Sequence, residues 1–320
     1  MFWLVLDMTC PAGVGRYATL NRRHTASARL TAPVMVIGYT RAMPVVLLAL
    51  LATLLIAALF VPAQLRRHRR ARHFNTVLPD GWAALLEAQV PLYRSLPGAL
   101  RAQLHGHMQI LLREKQFIGC NGLVVTDEMR ATISAQASLL LLNRNTDYFA
   151  DFTSILIYPE SFVVPVIHRD GALETHDEEL RSGESWQRGP VVLSWTDIVH
   201  GTTLAGDGHN VVLHEFAHKL DEENGEMDGV PALSSDASQR VWIDVLGREF
   251  DLLRLRARNV TDGVLDEYGA SSPAEFFAVA TEAFFERGAA LSAHHARLYE
   301  TLRSFYQVDP ASWPQPADST

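Results

Sequence analysis

The sequence predicts an α/β (α+β) domain with a small mixed sheet, built around a helix that carries His214-Glu215-Phe216-Ala217-His218 and preceded by one N-terminal transmembrane helix. Three observations predict it. Apolar residues recur at helical spacing over long stretches after Leu78, the mark of helices with one buried face. Short runs rich in β-branched residues lie between them, at 154–158, 161–164 and 190–195, and read as strands. An uncharged apolar run from Pro44 to Val61 is followed by Arg66, Arg67, Arg69, Arg70 and Arg72, a length and a charge asymmetry that suit a membrane span.

Taken in chain order, residues 1–42 show no sustained period and are expected to be a disordered extension or a segment ahead of the true start at Met43. Mass spectrometry of the native N-terminus decides that point, and a peptide from residues 1–30 counts against it. Residues 43–63 are expected to span the inner (cytoplasmic) membrane once. Residues 64–77 form a basic juxtamembrane linker, whose arginines stay on the cytoplasmic side and hold the following domain there. A signal peptide would carry its positive charges ahead of the apolar run, not behind it. The globular domain covers 78–308 and a tail covers 309–320. The net charge of -8 excludes a general nucleic-acid binder. Cys10 and Cys120 are the only cysteines, which rules out both a disulfide framework and a cysteine zinc site.

Within the domain, Leu100, Leu104, Met108 and Leu111 mark a helix after Pro97-Gly98. A second helix opens near Thr126 and runs through Met129, Ile133 and Ala137 into the apolar Leu139–Leu142. Residues 168–189, rich in Asp, Glu, Arg and Gly, read as a solvated loop or hairpin with His168 and His176 on the surface. Pro190 lacks an amide hydrogen, so the strand it begins is expected at the sheet edge.

The chemistry is concentrated at His214-Glu215-Phe216-Ala217-His218. On a helix, His214 and His218 share a face and can grip one divalent ion, with the Glu215 carboxylate beside it. Asn210 supplies a cap and Val211-Val212-Leu213 an apolar start, as expected of a buried helix. Burying such groups without partners costs roughly 2–7 kcal/mol each, so metal binding explains them better than packing does. A catalytic zinc site needs a third protein ligand and one open position. The extended histidine version of the motif is excluded, because its glycine position holds Asp221 and its last histidine position holds Asn224. Asp221 reads as an orienting partner or a helix-end charge. The ligand is then sought on the aromatic-rich helix at 273–286, where Glu275, Glu282 and Glu286 lie near one face. Glu275 has a modest lead. Its rival reading is structural, since Ser272, Pro273 and Glu275 stand at the N-cap, N1 and N3 positions of a capping box.

Beyond these residues, Leu156-Ile157-Tyr158-Pro159, Gly183-Glu184-Ser185-Trp186, Gly189-Pro190-Val191-Val192-Leu193-Ser194-Trp195, His214 through Asp221, Gly229-Val230-Pro231 and Ser272 through Ala278 follow one another in an order that resembles the Mlc titration factor A family of zinc peptidases. The resemblance runs from about Leu78 to Tyr306. It implies a gluzincin-like fold, related to the catalytic domain of anthrax lethal factor, with one Zn2+ per chain held by His214, His218 and Glu275, and with Glu215 as general base. It draws attention to Tyr268, a phenol placed to stabilise an oxyanion. It also implies aminopeptidase-like action on a peptide or protein substrate, and binding of the glucose repressor Mlc. The membrane segment departs from the soluble members of that family. The alternative function is a regulatory binding protein that sequesters a transcription factor, with zinc structural.

Overall fold

A computed structural model describes residues 42–170, 173–181, 183–185, 189–203, 206–256 and 263–314. Most of residues 1–42 and the ends of the Gly183–Trp186 and 309–320 segments therefore lie outside it, as do the side chains of His168 and His176.

The chain divides into two compact units, residues 1–60 and 61–320. The first described element is α1 (Ala42–Phe74), 33 residues long with Pro62 inside it. Its stretch from Val46 is long and apolar enough to cross a membrane, and Leu48, Leu54, Leu59 and Phe60 are exposed. The expected linker at 64–77 is instead helical as far as Phe74. Ala, Gln, Leu and Arg are strong helix formers, and the end of α1 is held by packing. The Phe74 ring lies on Gly106, where an added Cβ would meet it at 2.6 Å, and Arg70 makes two hydrogen bonds to Glu114, of 2.8 and 2.7 Å.

Helices α2 (Trp82–Gln89), α3 (Pro91–Ser95) and α4 (Gly98–Glu114) lead to strand β1 (Gln116–Gly119) and helix α5 (Asp127–Leu139). Thr126 caps α5 by accepting from Met129 N. Its interior is buried on every side because α2, α4 and the later helix at Val211–Asp221 all pack on it. The expected continuation to Leu142 is a series of turns, equally buried.

Strand β2 (Ser154–Tyr158) is followed by a two-stranded antiparallel ribbon of β3 (Phe162–Asp170) and β4 (Leu173–Arg181), then β5 (Gly183–Ser185) and β6 (Val191–Ser194). The main sheet runs β1-β2-β6-β5, with the first three parallel and β5 antiparallel to β6. The strand after Pro190 is therefore not an edge. Pro190 stands before the first paired residue, and Val191 through Ser194 are all buried, the two-sided burial of an inner strand. The three-residue β5 is the edge on that side, and β1 the edge on the other.

Helices α6 (Trp195–Thr203), α7 (Val211–Asp221), α8 (Asp236–Arg256), α9 (Pro273–Glu286), α10 (Gly288–His294) and α11 (Ala296–Tyr306) complete the body. The core gathers on α9, whose Phe277 packs edge-on against Trp242 of α8 while Phe284 and Phe285 meet Tyr306 of α11. Fully burying such rings contributes roughly 1.5–3 kcal/mol each. Thr281 Oγ1 and Tyr306 Oη satisfy each other at 2.7 Å within this layer. Packing continues beyond residue 308, since Trp313 is buried against Phe285.

Candidate metal centre

The site is made where α7 crosses α9, and each helix begins where its sequence says it should. Asn210 is extended and its side chain accepts from Leu213 N at 3.0 Å. Ser272 does the same for Glu275 N at 3.2 Å, with Pro273 at the first helical position. These caps stop the two helices from fraying at the turns that carry the polar groups.

His214 and His218, one turn apart on α7, meet with ring centroids 4.9 Å apart and nearly perpendicular. Glu275, in the first turn of α9, reaches both: its Oε2 lies 2.9 Å from His214 Nε2 and 3.3 Å from His218 Nε2. The second half of the capping box is therefore not what its carboxylate does. One ligand atom from each of the three residues falls within 4.8 Å of the others. Tetrahedral zinc with ligands at roughly 2.0–2.2 Å separates them by about 3.3–3.6 Å, so two imidazoles and a carboxylate gathered this closely fit such an ion.

The second nitrogen of His214 is also committed. Its Nδ1–H donates to Glu282 Oε1 at 2.7 Å, which fixes the ring so that Nε2 faces His218 and Glu275. Glu282 therefore meets His214 on the side of the ring away from His218 and Glu275. Its other oxygen accepts from Asn210 N at 2.5 Å, and Asn210 Nδ2 donates to Glu286 Oε1 at 2.9 Å. Burial pushes the Glu286 carboxyl up to about 7, against these hydrogen bonds. Burial alone would lower the His214 imidazole, but Glu282 and Glu275 against its two nitrogens hold it well above the usual range. For Glu275 burial acts upward and is outweighed, because hydrogen bonds from both imidazoles hold its carboxyl well below the usual carboxylate range.

Glu215 is buried among these groups, and among the described residues its Oε2 has no hydrogen-bond partner. Burial pushes its carboxyl up to about 7, opposed by His214 and His218. A buried carboxyl with a free oxygen beside a cluster of this kind is poised to exchange protons near neutrality. Tyr268 sits on a 3-10 turn (Glu267–Ala270) that opens with Asp266 Oδ1 accepting from Tyr268 N at 2.7 Å. Its ring is half exposed and centred 6.0 Å from that of His214, so the turn brings it to the rim of the cluster.

Asp221, at the last turn of α7, does not join the cluster. Its Oδ2 accepts from Gly229 N at 2.7 Å, and burial pushes its carboxyl up to about 6. Gly229 also accepts from Trp242 Nε1 at 2.8 Å through its carbonyl. Its φ is +81°, and an added Cβ would stand 2.4 Å from Pro273 O. One glycine thus ties the end of α7 to α8 and to the first residue of α9, the turn that carries Glu275. The roles of Glu282 and Gly229 escaped the sequence reading. Glu282 lies two turns after Glu275 on the same face, a signal that was available, whereas the Asp221–Gly229 link crosses a loop without periodicity.

Comparison with known proteins agrees with this geometry. The family described as Glucose-regulated metallo-peptidase M90 matches residues 64–307. An uncharacterized protein of Synechocystis sp. (strain ATCC 27184 / PCC 6803 / Kazusa) is 40% identical over 244 residues, covering 76% of this chain and 89% of the relative. Mlc titration factor A of Yersinia pestis (strain Pestoides F) is 33% identical over 225 residues, covering 69% and 82%. The same values hold for the protein of that name from Yersinia pseudotuberculosis serotype O:3 (strain YPIII). The chain belongs to the glucose-regulated metallopeptidase family, in which the Mlc titration factors A also fall.

Proposed function

We propose that this member of the glucose-regulated metallopeptidase family is a zinc-dependent, aminopeptidase-like peptidase of zincin-like fold, anchored in the cytoplasmic membrane by α1 with its catalytic domain in the cytoplasm. The observation that carries the reading is the convergence of His214, His218 and Glu275 within 4.8 Å of one another, with the buried Glu215 carboxylate alongside. His214, His218 and Glu275 would hold the ion. When bound, zinc supplies a Lewis acid that polarises the scissile carbonyl and makes water a stronger acid.

The chain's own residues do the rest. Glu215 Oε2 takes the proton of the attacking water and returns it to the departing amine, a double use that suits a carboxyl raised towards neutrality. Glu282 keeps His214 in the tautomer whose Nε2 faces inward. Tyr268 donates from its hydroxyl to the developing oxyanion. The edge strand β5, which packs on α7, offers backbone groups to an extended peptide, so that main-chain pairing holds substrates of varied side chain.

Glu215→Gln tests this directly. The purified variant is expected to retain its zinc and to cleave peptides roughly 10²–10⁴-fold more slowly, the contribution of one general base; unchanged cleavage overturns the assignment. Peptides with free and acetylated amino termini separate an aminopeptidase from an endopeptidase. For the anchor, the chain is expected to stay with membranes through alkaline extraction, and its release into the supernatant removes that part of the reading.

A second reading is favoured by the name of the Yersinia relatives, titration factors for Mlc: the chain is a regulatory protein that sequesters a transcriptional repressor, with zinc structural. Glu215→Gln keeps its regulatory effect in cells if binding carries the function and loses it if hydrolysis does.

A further inference from the structure

The end of α1 and the turn after α4 enclose a second concavity, of about 380 Å³. That volume falls within the roughly 300–1,000 Å³ of small-molecule pockets. Arg66, Arg69, Arg70 and His73 line it from α1, and Arg113 and Lys115 from the end of α4, with Glu114 the one acid in the lining. So dense a set of cations is self-repelling unless anions offset it, and the protein's own carboxylates do so only in part.

Arg70 is fully engaged. It pairs with Glu114, contacts Asp147 Oδ1 and donates to Asp147 O at 2.9 Å. Arg66 reaches Asp147 only at 3.6 Å across an exposed gap, and Arg69 has no partner among the described residues. Beneath them Lys115 is buried. It donates to Phe149 O at 2.5 Å and Phe152 O at 2.7 Å and lies 4.1 Å over the Phe152 ring. An ammonium has three donors, so one remains. Burial pushes this ammonium down to about 8, against the pull of Glu114, Asp147 and Asp151.

The backbone is bent to build this arrangement. Tyr148 and Phe149 hold φ of +60° and +53°, a conformation that costs a non-glycine residue roughly 1–2 kcal/mol. The bend presents Asp147 to Arg70 and the Phe149 carbonyl to Lys115. Strain spent on seating two cations at one opening, with two more arginines left over above them, marks a binding site rather than a solvated charge run.

We propose that this pocket binds a phosphate-bearing anion, held by Arg66, Arg69 and Lys115, and that the anion is the head group of an acidic phospholipid. Arginine forks match phosphate oxygens, and Arg66 and Arg69 follow within a few residues of Val61, where the apolar run ends. Basic residues placed there meet the anionic leaflet. The lipid source rests on the membrane-anchor reading above, while the pocket itself does not.

The test uses the full chain in detergent micelles, with phosphatidylglycerol or phosphatidylcholine added and retained lipid counted by native mass spectrometry. Inorganic phosphate is titrated separately by calorimetry. Arg66→Gln/Arg69→Gln is compared with Arg67→Gln/Arg72→Gln, which removes the same charge from α1 outside the pocket. Selective retention of phosphatidylglycerol that falls roughly tenfold or more in the first variant alone supports a head-group site, in line with losing two cations at an anionic surface. If inorganic phosphate binds instead and is lost in the same variant, the pocket stands and its anion is a free phosphate. Equal losses in both variants, or no preference over phosphatidylcholine together with no phosphate binding, overturn the proposal. Alkaline extraction reads membrane insertion separately, and neither measurement depends on peptide hydrolysis.

Discussion

Two pairs of helices in this chain are joined through charged side chains, α9 to α7 and the end of α1 to α4, and they use charge in opposite ways. Between α1 and α4 the contact that joins the helices is paired: Arg70 answers Glu114, and Asp147 beyond α4, while Phe74 closes on Gly106. Between α7 and α9 the acids and imidazoles are more deeply buried, and Glu215 Oε2 and His218 Nδ1 lack partners among the described residues. A buried polar group left unsatisfied costs about 1–3 kcal/mol. The first pair uses ionic groups to attach a helix. The second accepts a stability cost, which is how a site that acts on something else differs from a joint.

The largest effect expected from this contrast is at Glu275. Glu275→Ala removes one of the three proposed ligands and should lower zinc affinity by more than roughly 10²-fold, beyond what loss of an orienting group costs; metal analysis after dialysis against a mild chelator shows it. Gly229→Ala tests whether the site depends on how its helices are tied. The left-handed φ and the approach to Pro273 O together predict a loss of about 3 kcal/mol, seen as a lower denaturation midpoint and accompanied by weaker zinc binding. If Gly229→Ala keeps wild-type stability, the link between α7, α8 and α9 is not what holds Glu275 in place.

Glu282→Gln sharpens the comparison further. It leaves the proposed ligands intact but weakens the hold on His214 Nδ1, so zinc affinity should fall roughly 10–100-fold while the circular dichroism spectrum stays unchanged. The smallest effect belongs to the other pair. Arg70→Met should cost about 1–2 kcal/mol, because Glu114 loses its main partner in a half-buried setting, with no change in zinc content. A change in zinc content there would show that the two helix pairs are not independent.

How far the sequence foretold this arrangement depended on whether each signal was local. Helix α7 and the start of α9 were legible because their caps, Asn210 and Ser272-Pro273, sit directly beside the residues they serve, and β2 was legible as an apolar run of strand length. The position of β6 was misread because Pro190 suggested an edge, although the unbroken Val191-Val192-Leu193 run already spoke for burial on both faces. The three residues of β5 carry no alternation at all, since neighbouring strands define them. The continuation of α1 past Pro62 could not be read locally either, because Gly106, Glu114 and Asp147, which hold its end, lie far along the chain. Choosing between Glu275 and Glu282 had the same limit. Both lie on one face of α9, and only the placement of His214 gives one its Nε2 and the other its Nδ1.

The knot at Gly229 has a further consequence for how this fold comes apart. Because one residue is held from the last turn of α7 through its N–H, from the Trp242 indole on α8 through its carbonyl, and lies close against the first residue of α9, none of the three helices can loosen alone without breaking a buried contact of the others. Their slowest amide protons should therefore exchange with solvent at one common rate, as a single cooperative unit. In such a unit the cluster at His214 is either whole or lost with its scaffold, and half-assembled forms are kept rare.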